Sequence, residues 1–488
     1  MAVSATSIEF ETVIGLEIHA QVLTRSKMYC GCSADYANAE PNTHVCHVCM
    51  GLPGALPVIN REAIELCVLT GMAIGCEIAP YSKLDRKNYV YPDLPKGYQI
   101  SQYDLPLCTG GSLTFESEGR MVEAGITRVH IEEDTGRLLH RTASDGMEMS
   151  LVDLNRSGVP LMEIVGDPDL RTPAEARDYL IAMRQILRYI GGSTGNMEEG
   201  AFRCDANVST RSTDGSVVGA KVEIKNMNSF RAVERALRYE ETRQRDVLTA
   251  GGEIVQETRG WVEARGITAS QRTKEQAHDY RYFPEPDLPP LALTKELLDE
   301  IRSRLPELPA ERRTRFANEH GLSATEAALL TNERPIADFY ESVVATASDS
   351  STPKVAANWI INDLFGMQHD RGLPQDQLPV SADQFRSLVS LLQRDQITGR
   401  AAKELLPLLV DGGDPLQVAR ESNLLQLNDR DEIRAAAEAT VADHPEAVAD
   451  YRSGKKAAIG RLIGETIKRT NGRGRPDVVR QVLEELLD

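Results

Sequence analysis

The sequence predicts an α+β protein, in which a strand-rich first part is followed by helices. Strand-like stretches and turns dominate up to residue 293, and few helices are well marked there. From Thr294 onward the pattern is helical, with Glu, Arg, Ala and Leu dominant. Strands followed by a run of helices are typical of this class. A length of 488 residues exceeds what one hydrophobic core usually supports, so we expect two or three domains.

Three helices in the first part are predicted from their N-terminal caps. Asn60 precedes the helical pattern REAIELCVLTGMAIG. Thr172 opens a capping box with proline at the first helical position, and this helix stops at Gly191. Its apolar stripe is most simply part of the core. A third helix is predicted to follow Ser229 and to end at glycines 251 and 252.

Two breaks divide the chain. A proline cluster at 283–290 interrupts regular structure, and DGGDP at 411–415 interrupts it again. The sequence therefore predicts a first domain at 1–293, a helical domain at 294–410 and a short helical tail at 416–488.

Composition excludes some classes of protein. No apolar run of membrane-spanning length occurs, and the first residues have neither the basic nor the apolar region of a signal peptide. We therefore expect a cytoplasmic protein without a membrane partner. The formal charge of -18 argues against binding polyanions over the whole surface. A basic excess is nevertheless present between 451 and 480, where nine Lys or Arg stand against Glu465 and Asp477.

Four of the eight cysteines form two close pairs. Cys30 and Cys32 are followed, after thirteen residues, by Cys46 and Cys49. Two such pairs separated by a loop can present four thiolates tetrahedrally to zinc. His44 and His47 lie in the same segment and are alternative ligands. Because four protein ligands close the coordination shell, the predicted role of this zinc is structural.

Charged residues alternate with apolar residues on several predicted strands. In FRCDANVS, Arg203 and Asp205 alternate with apolar neighbours, and in AKVEIKN the polar positions are Lys221, Glu223 and Lys225. If the strands share one sheet, their polar faces lie on the same side of it. Several acidic side chains and one histidine would then lie close together. The residues of this group are Glu17, His19, Glu132 or Glu133, Asp205 and Glu223.

Carboxylates with one imidazole suit Mg²⁺ or Mn²⁺, and the neighbouring Arg203, Lys221 and Lys225 suit phosphate. For any single strand, a solvated sheet face with surface ion pairs is the better interpretation. Recurrence over four strands makes a metal site an equal alternative. The chain has no G-x-x-x-x-G-K-[ST] loop and no G-x-G-x-x-G after a strand, so nucleotide binding would rely on metal and side chains.

Long irregular stretches of the chain are distinctive, namely residues 15–19, 91–102, 130–134, 151–164, 222–226, 279–289, 356–360, 454–460 and 469–472. They resemble signatures of the GatB family, the B subunits of the aspartyl/glutamyl-tRNA amidotransferases, and the resemblance covers essentially the whole chain. It implies an α+β cradle domain with a mixed or antiparallel sheet, then a helical domain and a tail that grips tRNA. The basic excess at 451–480 fits phosphate contacts by that tail, and a solvated helix face is the alternative.

The resemblance also implies a ligase that uses ATP. It would phosphorylate the side-chain carboxylate of Glu on tRNA(Gln) or of Asp on tRNA(Asn), and ammonia would then displace phosphate. The expected partners in a heterotrimer are the amidase (A) subunit, which supplies ammonia, and the small (C) subunit, together with the tRNA. By matching positions, the resemblance assigns Mg²⁺ to Glu17, His19, Glu132, Glu133 and Glu223, and leaves open whether Asp205 binds it. Candidates for phosphate or acceptor-end contacts are Lys225, Asn226, Asn228, Asp279 and Arg281.

Three other functions compete with this interpretation. A tRNA-binding scaffold without enzymatic activity would leave the acidic row as a solvated face. An archaeal relative acts only on glutamyl-tRNA, but it carries an extra inserted domain, and the passage from Pro290 into helices without such an insertion counts against it. A zinc hydrolase is disfavoured because four thiolates leave no open coordination position.

Overall fold

The structure, a computed structural model, describes residues 9–273, 279–345, 349–427 and 430–487. The chain divides into two units, Met1–Ala310 and Glu311–Asp488. None of the helices in these described ranges combines the length and the apolar character that crossing a bilayer requires.

The first unit contains all the strands of the described chain. In chain order they are β1 (Phe10–Gln21), β2 (Glu77–Ile78), β3 (Tyr81–Ser82), β4 (Asp85–Asn88), β5 (Tyr98–Ser101), β6 (Cys108–Thr109), β7 (Ser112–Ser117), β8 (Arg120–Glu133), β9 (Arg137–Thr142), β10 (Glu148–Asp153), β11 (Pro160–Gly166), β12 (Phe202–Ser212), β13 (Val222–Met227), β14 (Glu257–Val262), β15 (Ile267–Thr273), β16 (Phe283–Pro284) and β17 (Leu291–Ala292).

Ten of these strands form one sheet, in the order β15-β14-β13-β12-β1-β11-β8-β6-β2, with β7 paired to β8. The pair β13–β14 is parallel, and the other pairs of this sheet are antiparallel. Smaller sheets are β9–β10, β16–β4–β5 and β17–β3. A mixed sheet in the first part and helices in the rest confirm the predicted α+β class.

Three helices of this unit begin where their caps predict, namely α1 (Arg61–Ala73), α2 (Pro173–Tyr189) and α3 (Phe230–Thr249). A fourth helix, α4, spans Lys295–Ser303. The Asn60 side chain accepts hydrogen bonds from two backbone N–H groups of the first turn of α1. Thr172 forms the predicted capping box, and Ser229 caps α3. Each cap satisfies N–H groups that have no partner within the helix, and so sets the start of the helix.

The core of the first unit lies between the apolar face of the sheet and these helices. On β1 the side chains of Ile14, Leu16 and Ile18 are buried, whereas Glu17 and His19, which alternate with them, are partly exposed. The same alternation continues on β12 and β13, as the sequence predicted. Ile301 of α4 is buried in this core, so the core extends past residue 293. The predicted three-part division of the chain stays a prediction.

The remaining helices follow α4. They are α5 (Pro309–His320), α6 (Ala324–Leu330), α7 (Arg334–Val344), α8 (Thr352–Trp359), α9 (Phe365–Asp370), α10 (Ala382–Gln393), α11 (Gly399–Leu405), α12 (Pro415–Glu421), α13 (Arg430–Asp443), α14 (Pro445–Arg452), α15 (Ile459–Arg469) and α16 (Pro476–Leu487). A π-helical turn, Ile360–Leu364, joins α8 to α9. Within the described residues of the second unit, buried apolar side chains form one cluster between Phe316 and Ala419 and another between Leu427 and Leu487.

Candidate active site

The polar face of the large sheet brings side chains of three neighbouring strands together. In the antiparallel register, His19 of β1 lies opposite Glu163 of β11, and Glu163 lies opposite His130 of β8. Glu132 follows His130 by two residues and therefore points to the same face. β1 and β11 are paired on both sides at this point, and this backbone pairing sets the positions of His19 and Glu163.

The side chains of this group are close enough together to hold a metal ion. Ligand atoms of His19, Glu132 and Glu163 all lie within 4.8 Å of one another. His19 Nε2 is 3.4 Å from Glu163 Oε2, and His130 Nε2 is 3.4 Å from Glu132 Oε1 and 3.5 Å from Glu163 Oε2. Lys87 Nζ is 3.6 Å from Glu132 Oε1. We refer to His19, Glu132 and Glu163 as the acidic cluster.

Glu132 is the most constrained member of the acidic cluster. It is 1% exposed. Its carboxylate accepts hydrogen bonds from Ser101 Oγ at 2.6 Å and from Gln99 Nε2 at 3.1 Å, both on β5. Burial alone would raise the pKa of this carboxyl, but Lys87 and His130 hold the pKa well below its usual range. Glu132 is therefore a preorganised anion, which suits a cation of the substrate or a metal ion.

His19 and Glu163 form a second charged pair in the cluster. Burial opposes protonation of His19, but its hydrogen bond with Glu163 and the negative charge there raise the pKa of the imidazole. Burial likewise opposes ionisation of Glu163, and the hydrogen bond with His19 lowers the pKa of its carboxyl below the usual value. A bound divalent cation would take the place of the proton on His19, because imidazole ligates metals in its neutral form.

Glu163 and His130 were not predicted as site residues. Glu163 is the only charged residue in the run PLMEIVG. Because the rest of the run is apolar, the sequence suggests an ordinary buried strand without a site residue. The same rule of alternation that selected Glu17 and His19 would have selected Glu163 between Met162 and Ile164. Only the strand pairing shows that it faces His19.

Glu133 lies away from the acidic cluster. Its side chain forms an ion pair with Lys96 and accepts a hydrogen bond from the backbone N–H of Ile100 at 2.9 Å. Adjacent residues of a strand point to opposite faces, so Glu132 and Glu133 cannot both turn toward His19. The structure thus brings His19 and Glu132 together and places the predicted ligand Glu133 on the other side of β8.

Glu17, Asp205 and Glu223 share the polar face with His19 but stand further along it. Glu17 lies opposite Asp205 in the register and accepts a hydrogen bond from Asn207 Nδ2 at 2.8 Å. Lys225 Nζ bridges Asp205 at 2.5 Å and Glu223 at 3.1 Å. In the described part of the chain, none of these three carboxylates belongs to a group of ligand atoms within 4.8 Å. They form an acidic row beside the cluster, neutralised in part by Lys225.

The other predicted contact residues surround this row. Arg203 Nη2 lies 3.0 Å from Asp134 Oδ1, and Lys221 is exposed just before β13. Asn226 adopts a positive φ of 64° where the register between β12 and β13 shifts, which turns its exposed side chain away from the regular strand. Asn228 is exposed in the short connection between β13 and α3.

Two further predicted residues belong to the segment that leads to β16. Asp279 Oδ1 accepts a hydrogen bond from the backbone N–H of Arg281 at 3.0 Å, and both side chains are exposed. Arg281 has a φ of 43°. The Asp279 carboxylate thus stabilises the backbone conformation at Arg281.

The four predicted zinc ligands come together. The sulfur atoms of Cys30, Cys32, Cys46 and Cys49 lie within 4.8 Å of one another, and those of Cys46 and Cys49 are 3.9 Å apart. Tetrahedral ligation at the usual zinc–sulfur distance requires a sulfur–sulfur separation of about 3.8 Å. The ligand group found in the described residues contains the four cysteines and neither of the two neighbouring histidines. The geometry therefore fits a four-thiolate metal site, which we call the cysteine knuckle.

The thiols of the cysteine knuckle perturb one another strongly. The hydrogen bond with Cys30 lowers the pKa of Cys49 to about 4, and Lys27 contributes to the shift. Burial raises the pKa of Cys32 to about 11. Such splitting arises because closely spaced thiols repel one another when ionised, so that only some of them ionise at a given pH.

Surface ion pairs reduce the basic excess of the tail. Arg469 pairs with Asp443, and Arg473 Nη2 is 3.3 Å from Glu432 Oε1. Exposed cations that have no ion pair in the described residues remain, among them Lys456, Arg461 and Arg480. The tail thus retains positive charge for an anionic partner, although less than the sequence suggested.

Comparison with known proteins identifies the family. A family model described as "GatB/GatE catalytic domain" matches residues 12–299, and one described as "GatB domain" matches residues 338–487. A protein from Thermomicrobium roseum, named as the B subunit of aspartyl/glutamyl-tRNA(Asn/Gln) amidotransferase, is 58% identical over 98% of this chain and 99% of its own length. Proteins of the same name from Dehalococcoides mccartyi and Carboxydothermus hydrogenoformans are each 48% identical over 98% of this chain and 99% of their own length. The chain belongs to the GatB family, the B subunits of the aspartyl/glutamyl-tRNA(Asn/Gln) amidotransferases.

Proposed function

We propose that this chain catalyses the ATP-dependent activation of a carboxylate carried by tRNA, and its conversion to an amide. The substrates are the Glu side chain of Glu-tRNA(Gln), the Asp side chain of Asp-tRNA(Asn), or both. The observation that carries the proposal is the acidic cluster with Lys87 beside it, in a chain whose relatives are named for this reaction.

The chemistry proceeds in two steps. A carboxylate oxygen of the substrate attacks the γ-phosphorus of ATP, so that an acyl phosphate forms and ADP leaves. Ammonia then attacks the acyl carbon, phosphate leaves, and the nitrogen loses a proton to give the amide. The first step is needed because a carboxylate is a poor electrophile, and phosphorylation supplies it with a leaving group.

The acidic cluster is suited to the first step. His19, Glu132 and Glu163 present hard oxygen ligands and one imidazole, which fit Mg²⁺. When bound, such an ion offsets the charge that develops on phosphate oxygens during phosphoryl transfer. His130, Gln99 and Ser101 orient the carboxylates. We propose that the acidic row of Glu17, Asp205 and Glu223 borders the same site, where Lys225 is placed to meet phosphate.

Zinc in the cysteine knuckle has a separate, structural role in this proposal. Its four ligands leave no position for a substrate. The knuckle is joined to the strand that carries Glu163: Met28 N–H donates to the Gly158 carbonyl at 2.7 Å, and Ser157 Oγ donates to the Cys49 carbonyl at 3.2 Å. Residues 157 and 158 lead directly into β11.

The proposed partners are the amidase (A) and small (C) subunits of a heterotrimer, with the tRNA as substrate. The acceptor end would meet the polar face of the sheet, and the exposed cations of the tail would contact tRNA phosphates. The deciding experiment is reconstitution with both partner subunits, ATP and each misacylated tRNA, with measurement of which tRNA is amidated. Absence of amidation of both would contradict the proposal.

We expect the double variant Glu17→Ala, Glu223→Ala to release phosphate from ATP more slowly in the presence of misacylated tRNA, by at least about 10-fold. The physical reason is that both changes remove negative charge from the row that borders the proposed metal site. The measurement is phosphate release by the reconstituted complex.

The matched control for the double variant is Glu11→Ala, which removes a carboxylate from the same strand β1, where it pairs with Arg211. We expect this control to keep the wild-type rate. A wild-type rate in the double variant would contradict a role for Glu17 and Glu223 at the site and would favour a scaffold.

The purified single chain is expected not to hydrolyse glutamine. No amidase machinery is recognisable in the sequence: the run GGSTG at 191–195 follows a helix and forms a turn in the structure, with Gly191 and Gly195 at positive φ. Glutamate release from glutamine is the measurement, with the reconstituted complex as the positive control. Glutaminase activity of the single chain would show that a further active site exists.

A further inference from the structure

Four tyrosines from two distant parts of the chain form a cluster beside the active site. Tyr103 and Tyr282 are stacked, with ring centroids 4.4 Å apart and an angle of 14° between their planes. Tyr280 meets Tyr282 edge-on at 6.2 Å, and Tyr89 meets Tyr280 edge-on at 5.8 Å. We call these four residues the tyrosine cluster.

Tyr103 is the outer member of the tyrosine cluster. It is 59% exposed, although one face of its ring is covered by Tyr282. Its backbone N–H donates to Asp85 Oδ2 at 3.1 Å, which anchors the residue next to β4. A rigid ring with one supported and one open face is a platform on which a planar ring can stack.

The tyrosine cluster is connected to the acidic cluster by direct contacts. Lys87 Nζ lies 5.2 Å from the centroid of the Tyr280 ring and 3.6 Å from Glu132 Oε1. Tyr89 Oη donates to Gln99 Oε1 at 3.1 Å, and Gln99 in turn donates to Glu132. The tyrosine cluster therefore forms part of the wall of the proposed active site.

Because one face of the Tyr103 ring is open to solvent, we expect this platform to bind the end of a polymer and not a small nucleotide. Small-ligand sites usually enclose most of the ligand, whereas the outer face of Tyr103 is open to solvent. Unpaired bases of RNA are commonly recognised by stacking on exposed aromatic side chains. Arg281 stands exposed between Tyr280 and Tyr282, where it is able to meet a backbone phosphate.

We propose that Tyr103, backed by Tyr282, stacks the 3′-terminal base of the tRNA and so positions the esterified amino acid over the acidic cluster. This inference rests on the proposed function, because the amino acid is esterified to the ribose of that same nucleotide. Stacking the base restricts the ribose, and the side-chain carboxylate then remains close to Glu132. Tyr103 thus binds the substrate and does not take part in the chemical steps.

The test is a double-mutant cycle on binding. The complex of the full chain with its partner subunits is titrated with two uncharged tRNA(Gln) transcripts, one with the 3′-terminal adenosine and one without it. We expect the wild type to bind the truncated transcript about 10-fold more weakly. Tyr103→Ala is expected to bind the intact transcript as weakly as the wild type binds the truncated one, with no further loss on truncation.

Two further variants separate stacking from other effects. Tyr103→Phe preserves the ring and is expected to bind the intact transcript as the wild type does. Tyr81→Ala removes another exposed tyrosine, on β3 outside the tyrosine cluster, and is expected to leave both affinities unchanged. Independent, additive effects of Tyr103→Ala and of the truncation would overturn the proposal.

A third measurement shows whether the platform binds the terminal base of the tRNA or the base of ATP. The affinity for ATP without tRNA is expected to be equal in the wild type and in Tyr103→Ala. Weaker ATP binding by the variant, together with an additive tRNA cycle, would overturn the proposal and assign the platform to ATP. Binding of uncharged transcripts requires neither ATP nor turnover, so this result is independent of whether carboxylate activation is confirmed.

Discussion

Glu132→Gln is expected to lower the rate of tRNA-dependent phosphate release from ATP by about 10²- to 10³-fold. Glutamine keeps the shape and one acceptor oxygen, but it removes the buried negative charge that Lys87 and His130 stabilise. Loss of one preorganised electrostatic contact in an active site typically has an effect of this size. The measurement is kcat for phosphate release by the reconstituted complex, together with its dependence on Mg²⁺ concentration.

Stability must be measured beside activity, because Glu132→Gln leaves Lys87 without its nearest carboxylate. Breaking a buried ion pair costs about 3 kcal/mol, so the variant is expected to be folded but less stable. Glu175→Gln is a matched control: Glu175 is another buried glutamate of the first unit, paired with Arg120 and part of the capping box of α2. We expect it to lose stability but to keep kcat.

Glu163→Gln provides an independent test of the same cluster. Glu163 was not among the residues that the sequence predicted, and its assignment depends only on the strand pairing with His19. We expect a loss of kcat comparable to that of Glu132→Gln. Wild-type kcat in both folded variants would show that the acidic cluster takes no part in phosphoryl transfer.

Cys46→Ser is expected to abolish stoichiometric zinc binding and to expose the segment around the cysteine knuckle to protease. Four thiolates within 4.8 Å are mutually destabilising without a cation, and structural zinc couples metal binding to local folding. The expected results are one bound zinc ion per wild-type chain, a large loss in the variant, and new cleavage between residues 30 and 52 in limited proteolysis.

Cys76→Ser is the control for the knuckle, because Cys76 lies outside the four-cysteine group and its thiol contacts the Gly110 carbonyl. It should retain zinc. A secondary loss of activity is expected in Cys46→Ser, since Ser157 and Gly158 join the knuckle to β11, which carries Glu163. Full zinc content in Cys46→Ser, or a wild-type chain purified without chelator that contains none, would contradict the zinc assignment.

The features that sequence predicted well are those that depend on near neighbours in the chain. The caps at Asn60, Thr172 and Ser229 set the helix starts because their hydrogen bonds reach only two or three residues ahead. Alternation on β12 and β13 set which side chains are buried, because a strand turns successive residues to opposite faces. Both rules use local geometry alone.

The composition of the acidic cluster could not be predicted in the same way. Glu163 joins His19 through antiparallel register between β1 and β11, and the Glu133 carboxylate contacts Ile100 instead of the cluster although Glu133 follows Glu132 directly. Pairing partners are chosen by packing of the whole sheet, which no short window of sequence contains. The tyrosine cluster likewise combines Tyr103 with Tyr282, which approach only because β16 pairs with β4 and β4 with β5.

Residue patterns and family resemblance together determined the α+β class, the buried and polar faces of the strands and the grouping of the four cysteines. Those properties follow from local periodicity, from ligand spacing and from long stretches shared with relatives. The grouping of His19 with Glu132 and Glu163, the separate pairing of Glu133 and the stacked tyrosines arise from long-range strand order. The physical reason is that strand pairing joins backbone segments far apart in the chain, and it is this pairing that places their side chains within bonding distance.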